Sequence, residues 1–190
     1  MKKIAIIENI HEDGLRIITE NPDYSYEIIN DSSENNLIKK LPEFDACTLR
    51  VSKLDSKILS NCKKLKVISR HGVGYDNVDL EYIKNNDIAL LITASANASA
   101  VAEHVMMMML NISKSVFSYD KEVRFGNFRK NSNNIQTLEL MNKNILIAGF
   151  GRIGRSLIKR CIAFEMKINV YDPFVNDEVI SALGGKKIQN

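Results

Sequence analysis

Asn144-Ile-Leu-Ile-Ala-Gly149-Phe-Gly151-Arg-Ile-Gly154-Arg-Ser-Leu-Ile-Lys-Arg-Cys161-Ile-Ala-Phe-Glu-Met-Lys167-Ile-Asn-Val-Tyr-Asp172 decides the fold. The apolar run Ile145 to Ala148 reads as a buried parallel strand. It runs straight into Gly149-Phe150-Gly151-Arg152-Ile153-Gly154. There the first glycine permits a tight turn, the second lets a pyrophosphate reach the backbone, and the third lets helix and strand pack closely. Ile153, Leu157, Ile158, Cys161 and Ile162 then recur at helical spacing, so the helix aims its N-terminal N–H groups and positive dipole end at the phosphates. A second strand, Lys167 to Tyr171, ends in Asp172, about 20 residues past the glycines, where a carboxylate can accept from an adenosine ribose. A lone glycine triplet is also compatible with an ordinary turn, but here strand, turn, helix, strand and acid occur in order. Asp172 would repel a 2′-phosphate, and Pro173-Phe174 brings no Arg beside it, so the cofactor expected is NAD rather than NADP.

Upstream of this unit the chain alternates strand and helix. Strands are expected at Lys3–Ile7, Tyr26–Ile29, Ala46–Leu49, Leu65–Ser69 and Ile88–Ile92. Helices are expected near Glu12–Thr19, Glu34–Leu41, Lys57–Cys62 and Leu80–Asn85. Such alternation predicts a flavodoxin-like doubly wound parallel sheet, whose ligands sit beyond the carboxyl ends of the strands. Arg50, the loop after Ser69 and the loop after Ile92 lie at those ends. In the loop Ser69 to Asp79, Gly72 and Gly74 flank Val73, which suits an anion-holding concavity of backbone N–H groups. A plain turn, with Asp76 or Asn77 capping the next helix, fits the same spacing.

Small residues from Thr93 to Ser99 lead into a helical stretch ending near Tyr119, apolar on all sides around Met106–Met109 and so expected to be buried between two domains. Asp120 to Lys143 is polar and broken by Gly126 and by Asn131-Ser132-Asn133-Asn134, the pattern of an exposed connection. The domain expectation is therefore 1–97, a connecting helix and linker over 98–143, and a nucleotide-binding segment over 144–190.

Composition narrows the classes. The 190 residues carry a net charge of +3 with Lys scattered, which does not point to nucleic acid. Glu8 interrupts the apolar start too early for a signal peptide, and Val105 to Leu110 is too short to span a bilayer. Cys47, Cys62 and Cys161 show no C-x-x-C spacing, which suits buried thiols in a reducing, cytoplasmic setting. No metal cluster is evident.

With these pieces placed, the chain resembles the NAD-dependent D-2-hydroxyacid dehydrogenases almost end to end. The resemblance rests on Arg70-His71-Gly72-Val73-Gly74-Tyr75-Asp76-Asn77-Val78-Asp79, on Asn97-Ala98-Ser99-Ala100-Val101-Ala102-Glu103-His104, and on the glycine-rich turn with Tyr171-Asp172-Pro173-Phe174. It implies a substrate domain followed by a Rossmann domain, hydride transfer between nicotinamide and a small 2-hydroxy or 2-keto acid, and a homodimer. It further implies that the amides of Val73 and Gly74 hold the substrate carboxylate, with Val73 touching the cofactor as well, and that Asn97 turns toward the substrate. Arg50 falls where phosphoglycerate dehydrogenases keep a phosphate-binding Arg. Gly149, Gly151, Gly154 and the N–H groups of Arg152 and Ile153 would face the pyrophosphate, and Asp172 the ribose.

The family's catalytic Arg, Glu and His come from a part of the Rossmann domain that this sequence does not contain, so no residue here is expected to be catalytic. His11 reads as a helix-start residue. His104 reads as a structural partner of Glu103 on a buried helix. His71 reads as a residue of the substrate side of the cleft. A non-catalytic NAD-sensing or interaction module is the competing expectation.

Overall fold

The computed structural model describes residues 1–127, 130 and 135–189. It forms two compact units, 1–96 and 97–190. The expected breaker Asn131-Ser132-Asn133-Asn134 lies outside the described residues.

In the first unit, strands β1 (Lys2–Ile7), β2 (Tyr24–Ile29), β3 (Ala46–Leu49), β4 (Val67–Arg70) and β5 (Ala89–Ile92) form a parallel sheet of order β2-β1-β3-β4-β5. This is the flavodoxin-like winding the alternation predicts, with small shifts at the strand ends. Helices α1 (Glu12–Thr19), α2 (Glu34–Lys40), α3 (Ser56–Leu59) and α4 (Leu80–Asn85) connect the strands, with a 3-10 turn at Leu41–Glu43. Three of these four starts have a side-chain cap, and α2, which follows Ser33, has none. His11 Nδ1 accepts from Asp13 N–H at α1, an Asp55 carboxylate oxygen from Ile58 N–H at α3, and an Asp79 oxygen from Tyr82 N–H at α4. The α4 cap is therefore Asp79 and neither Asp76 nor Asn77. Ile7, Cys47, Leu49 and Ile68 from the strands bury against Leu37, Ile58, Leu59 and Ile83 from α2, α3 and α4.

The second unit begins with α5 (Ala98–Ser113) and α6 (Val116–Arg124). The continuous helix expected to end near Tyr119 is broken at Ser115, which takes a left-handed φ of 50° while its hydroxyl donates to the Gln136 carbonyl. Helix then resumes as far as Arg124, covering residues expected to be linker. The expectation of all-round burial is also corrected. Ala102 and Met106 are buried, but Met107, Met108 and Ile112 are 43, 44 and 80 % exposed. The buried stripe of α5 packs on α7 (Arg152–Ala163) within the unit.

Strands β6 (Asn144–Ala148), β7 (Lys167–Tyr171) and β8 (Lys186–Lys187) form a parallel sheet of order β6-β7-β8, with α8 (Asp177–Ser181) between the last two. Leu157, Ile158 and Cys161 of α7 bury with Ile147, Phe150 and Val170. Ile153 and Ile162, expected on the same apolar stripe, are instead 42 and 45 % exposed. All three cysteines are buried and free. Burial pushes their thiols up, Cys62 to about 11. No helix among the described residues is long and apolar enough to cross a membrane.

Candidate functional site

Two clusters of chemistry stand at the carboxyl ends of the two sheets. In the first unit the organiser is Glu8, at the end of β1, whose role the sequence did not reveal. Its carboxylate accepts from the N–H groups of Arg50 (3.1 Å) and Val51 (2.8 Å) and from the Ser52 hydroxyl (2.7 Å). Burial pushes the Glu8 carboxyl up, but the Val51, Ser52 and Arg50 hydrogen bonds together outweigh it and hold the group below its usual range. The loop carrying Arg50 is thereby fixed to the end of the sheet.

Asn77 ties that loop to the next one. Its Nδ2 donates to the carbonyls of Ser52 (2.7 Å) and Arg50 (3.3 Å), and the backbone closes the seam through Leu54 N–H to Asn77 O and Asp79 N–H to Leu54 O. The structure thus joins Arg50 and the Val73–Gly74 loop through shared hydrogen bonds.

Of the two glycines there, Gly72 has φ 155°, whereas Gly74 is not in the left-handed region. Of the two, only Gly72 therefore uses a backbone conformation that a side chain would disfavour. Among the described residues the N–H groups of Val73 and Gly74 donate to no protein acceptor, so they remain available to an anion. The Thr93 N–H closes the loop onto the Gly72 carbonyl at 3.0 Å.

In the second unit the turn after β6 behaves as its glycines require. Gly149 has φ 90°, a conformation unfavourable for a side chain. A Cβ on Gly154 would stand 2.5 Å from the Gly149 carbonyl oxygen, so this helix can lie against the strand only with glycine there. A Cβ on Gly151 would meet nothing within 4 Å, which is the open approach a phosphate needs. The N-cap of α7 is Gly151, which has no side chain to cap the helix. A cavity of ≈ 460 Å³ lies along Leu146 to Gly149 and Gly151 to Gly154.

Asp172 is only 8 % exposed. Its Oδ2 accepts from Phe150 N–H (2.7 Å), and Oδ1 from Phe174 (2.8 Å) and Val175 (3.0 Å). The Phe150 N–H, then that of Phe174, hold its carboxyl below the usual range against the opposing effect of burial. Asp172 therefore braces the glycine-rich turn to the end of β7, a role that motif spacing alone does not reveal.

The histidines separate clearly. His11 caps α1, with Asp13 Oδ2 3.2 Å from its Nδ1. His104 is exposed on α5, and its neighbour Glu103 turns instead to Arg160 Nη2 at 2.8 Å, which corrects the reading of a buried structural pair. His71 is exposed and has no carboxylate partner among the described residues. No group of His, Cys, Asp and Glu among the described residues could hold a metal ion.

The class defined by this architecture is a two-unit parallel α/β protein whose second sheet opens on a dinucleotide-type glycine turn. The sequence model of the D-isomer specific 2-hydroxyacid dehydrogenase catalytic domain matches residues 4–189, and the chain belongs to that family. It is 30% identical over 187 residues to a D-3-phosphoglycerate dehydrogenase from Archaeoglobus fulgidus, covering 98% of this chain and 35% of that protein. It is 36% identical over 141 residues to a hydroxypyruvate reductase from Thermotoga maritima, covering 74% of this chain and 45% of that one. A D-lactate dehydrogenase from Aquifex aeolicus, solved with NAD and lactic acid, superposes with TM-score 0.81 at 27% identity over 97% of this chain and 55% of that one. The chain thus spans about a third to a little over half the length of these relatives.

Proposed function

We propose that the chain carries two half-sites of an NAD-dependent oxidoreductase acting on a small 2-hydroxy or 2-keto acid. Residues 1–97 hold the acid, and the adenosine and pyrophosphate end of the dinucleotide is held by residues of 144–190. The observation that carries this reading is the turn at Gly149–Gly154, where one glycine needs its φ, one faces open space and one touches backbone. When bound, NAD supplies the hydride acceptor. The chain's own residues bind and orient: the Val73 and Gly74 amides take the carboxylate, Arg50 adds positive charge beside them, and Asn97 turns its amide toward the acid. Val73 also borders the cofactor. The N–H groups of Arg152 and Ile153 take the pyrophosphate at Gly149, Gly151 and Gly154. Asp172 takes the ribose through Oδ2, which has a single protein partner among the described residues, because a carboxylate oxygen can accept twice.

The 190-residue chain by itself is expected to turn over no 2-hydroxy acid, since none of its histidines is positioned as an acid–base group. A homodimer in a reducing, cytoplasmic setting completes the reading, supported by the buried thiols and by exposed apolar residues such as Leu146. Isothermal titration with NAD, ADP and NADP tests it. NAD and ADP should bind alike and NADP about tenfold or more weakly, the scale of one charge repelled where a hydrogen bond was made. Equal NAD and NADP affinities would overturn the Asp172 assignment. Nicotinamide absorbance changes that depend on His71 would overturn the expectation of no turnover.

A further inference from the structure

The first unit contains a cavity of ≈ 250 Å³ separate from the backbone amides assigned to the carboxylate, and lined by Ile10, His11, Thr48, Ser69, His71 and Thr93 among others. Its floor follows from sheet register. Thr48 on β3 pairs with Ser69 on β4, so the two hydroxyls stand side by side on one face of the sheet. Its wall is the anion loop itself. His71 precedes Gly72 directly, and the Thr93 N–H is bonded to the Gly72 carbonyl. The cavity is therefore walled by the residue before the anion loop and by the residue bonded to that loop.

Two features define what enters it. The Thr48 hydroxyl oxygen is buried and has no hydrogen-bond partner among the described residues, an arrangement costly unless a ligand or water supplies one. None of the lining residues is Lys or Arg. A phosphate dianion needs cations or several charge-assisted donors; the loop's Arg70 donates instead to the His71 carbonyl at 2.7 Å, and the polar groups of the otherwise mostly apolar lining are hydroxyls and imidazoles. Resting on the reading that the Val73 and Gly74 amides take a carboxylate, we infer that this cavity receives the substrate's substituent, and that the preferred acids carry an uncharged hydroxylated group rather than a methyl or a phosphate. Arg50 then serves the carboxylate end and not a distal phosphate.

The test is a titration of the 15N-labelled 190-residue chain with D-glycerate, D-lactate and D-3-phosphoglycerate, followed by amide chemical shifts. D-Glycerate should move the amides of Val73 and Gly74 together with those of Thr48, Ser69 and Thr93, and bind about fivefold tighter than D-lactate, the scale of one hydrogen bond to a buried neutral group. D-Lactate should move mainly Val73 and Gly74. Thr48→Val should erase the difference between the two acids. Ser69→Ala should reduce it and serves as a second variant if Thr48→Val does not fold. Equal affinities for D-glycerate and D-lactate, or tightest binding of D-3-phosphoglycerate with shifts at Thr48 and Ser69, would overturn the inference while the carboxylate reading survives. No shift at Val73 and Gly74 with any acid would overturn the carboxylate reading, and this inference with it.

Discussion

At Gly154 a single added carbon would sit 2.5 Å from a backbone oxygen and 3.3 Å from Ile147 Cγ2, and neither neighbour is the loose end of a flexible side chain. Gly154→Ala should therefore destabilise the second unit by roughly 1–3 kcal/mol, the usual range for overpacking, and weaken adenine-nucleotide binding by splaying α7 from β6. Thermal denaturation with and without ADP reads both effects; an unchanged melting curve would mean the helix has room to move. Glu8 makes a pH-dependent prediction. Its folded pKa is depressed, so its contribution is full above the unfolded value of about 4.3 and is lost as pH falls through the folded value. Glu8→Gln should lower the first unit's urea midpoint at pH 7, and the gap from the unsubstituted chain should close as pH drops below about 4. A gap that stays constant with pH would show that the carboxylate charge is not what holds the Arg50 loop. Gly154 was legible because its spacing from Gly149 encodes a backbone contact. Glu8 was not, because its partners are N–H and hydroxyl groups more than 40 positions away, which no local pattern announces.

Between elements, the strands were readable from their apolar runs, but the seam joining the loops after β3 and β4 was not. Asn77 looked like a candidate helix cap, and Asp79 took that role because it stands directly before α4 with its carboxylate on the Tyr82 N–H. This leaves the Asn77 amide to bridge Arg50 and Ser52. Asn77→Ala should cost about 1–2 kcal/mol, the scale of two part-buried neutral hydrogen bonds, and should weaken binding of any carboxylate at Val73 and Gly74 by loosening their loop. Amide shifts on titration with acetate decide this, and unaltered acetate binding would show that the loop keeps its shape without the bridge. The α5–α6 break was hidden for a different reason. Ser115 is no glycine, and its left-handed turn is supported by a hydroxyl bond to Gln136, distant in sequence. Strand β8 escaped notice because Lys186 and Lys187 carry no apolar signal, although paired lysines suit a short edge strand.

For the whole molecule, the decisive feature is the sheet order β6-β7-β8, which places the apolar strand Asn144–Ala148 at an edge rather than in the interior. A strand of sequence Asn-Ile-Leu-Ile-Ala carries neither Pro nor charge, the usual guards against edge pairing, and Leu146 is 58 % exposed on it. The opposite edge of the same sheet ends in two lysines and is guarded. Among the described residues no strand pairs with the outer side of β6, and the exposed Leu146 stands on that edge. The 190-residue chain in dilute solution should therefore self-associate through β6, and two copies can pair antiparallel about a two-fold axis with the same patch on each side. Leu146→Lys places a charge on that patch without touching the buried face of the strand, so it should raise the monomer fraction while leaving the thermal midpoint of the first unit unchanged. Sedimentation velocity over a concentration series measures the first quantity and calorimetry the second. Association that persists in Leu146→Lys and is instead abolished by Met107→Lys on α5 would place the contact on the helical face and remove the β6 edge from the account.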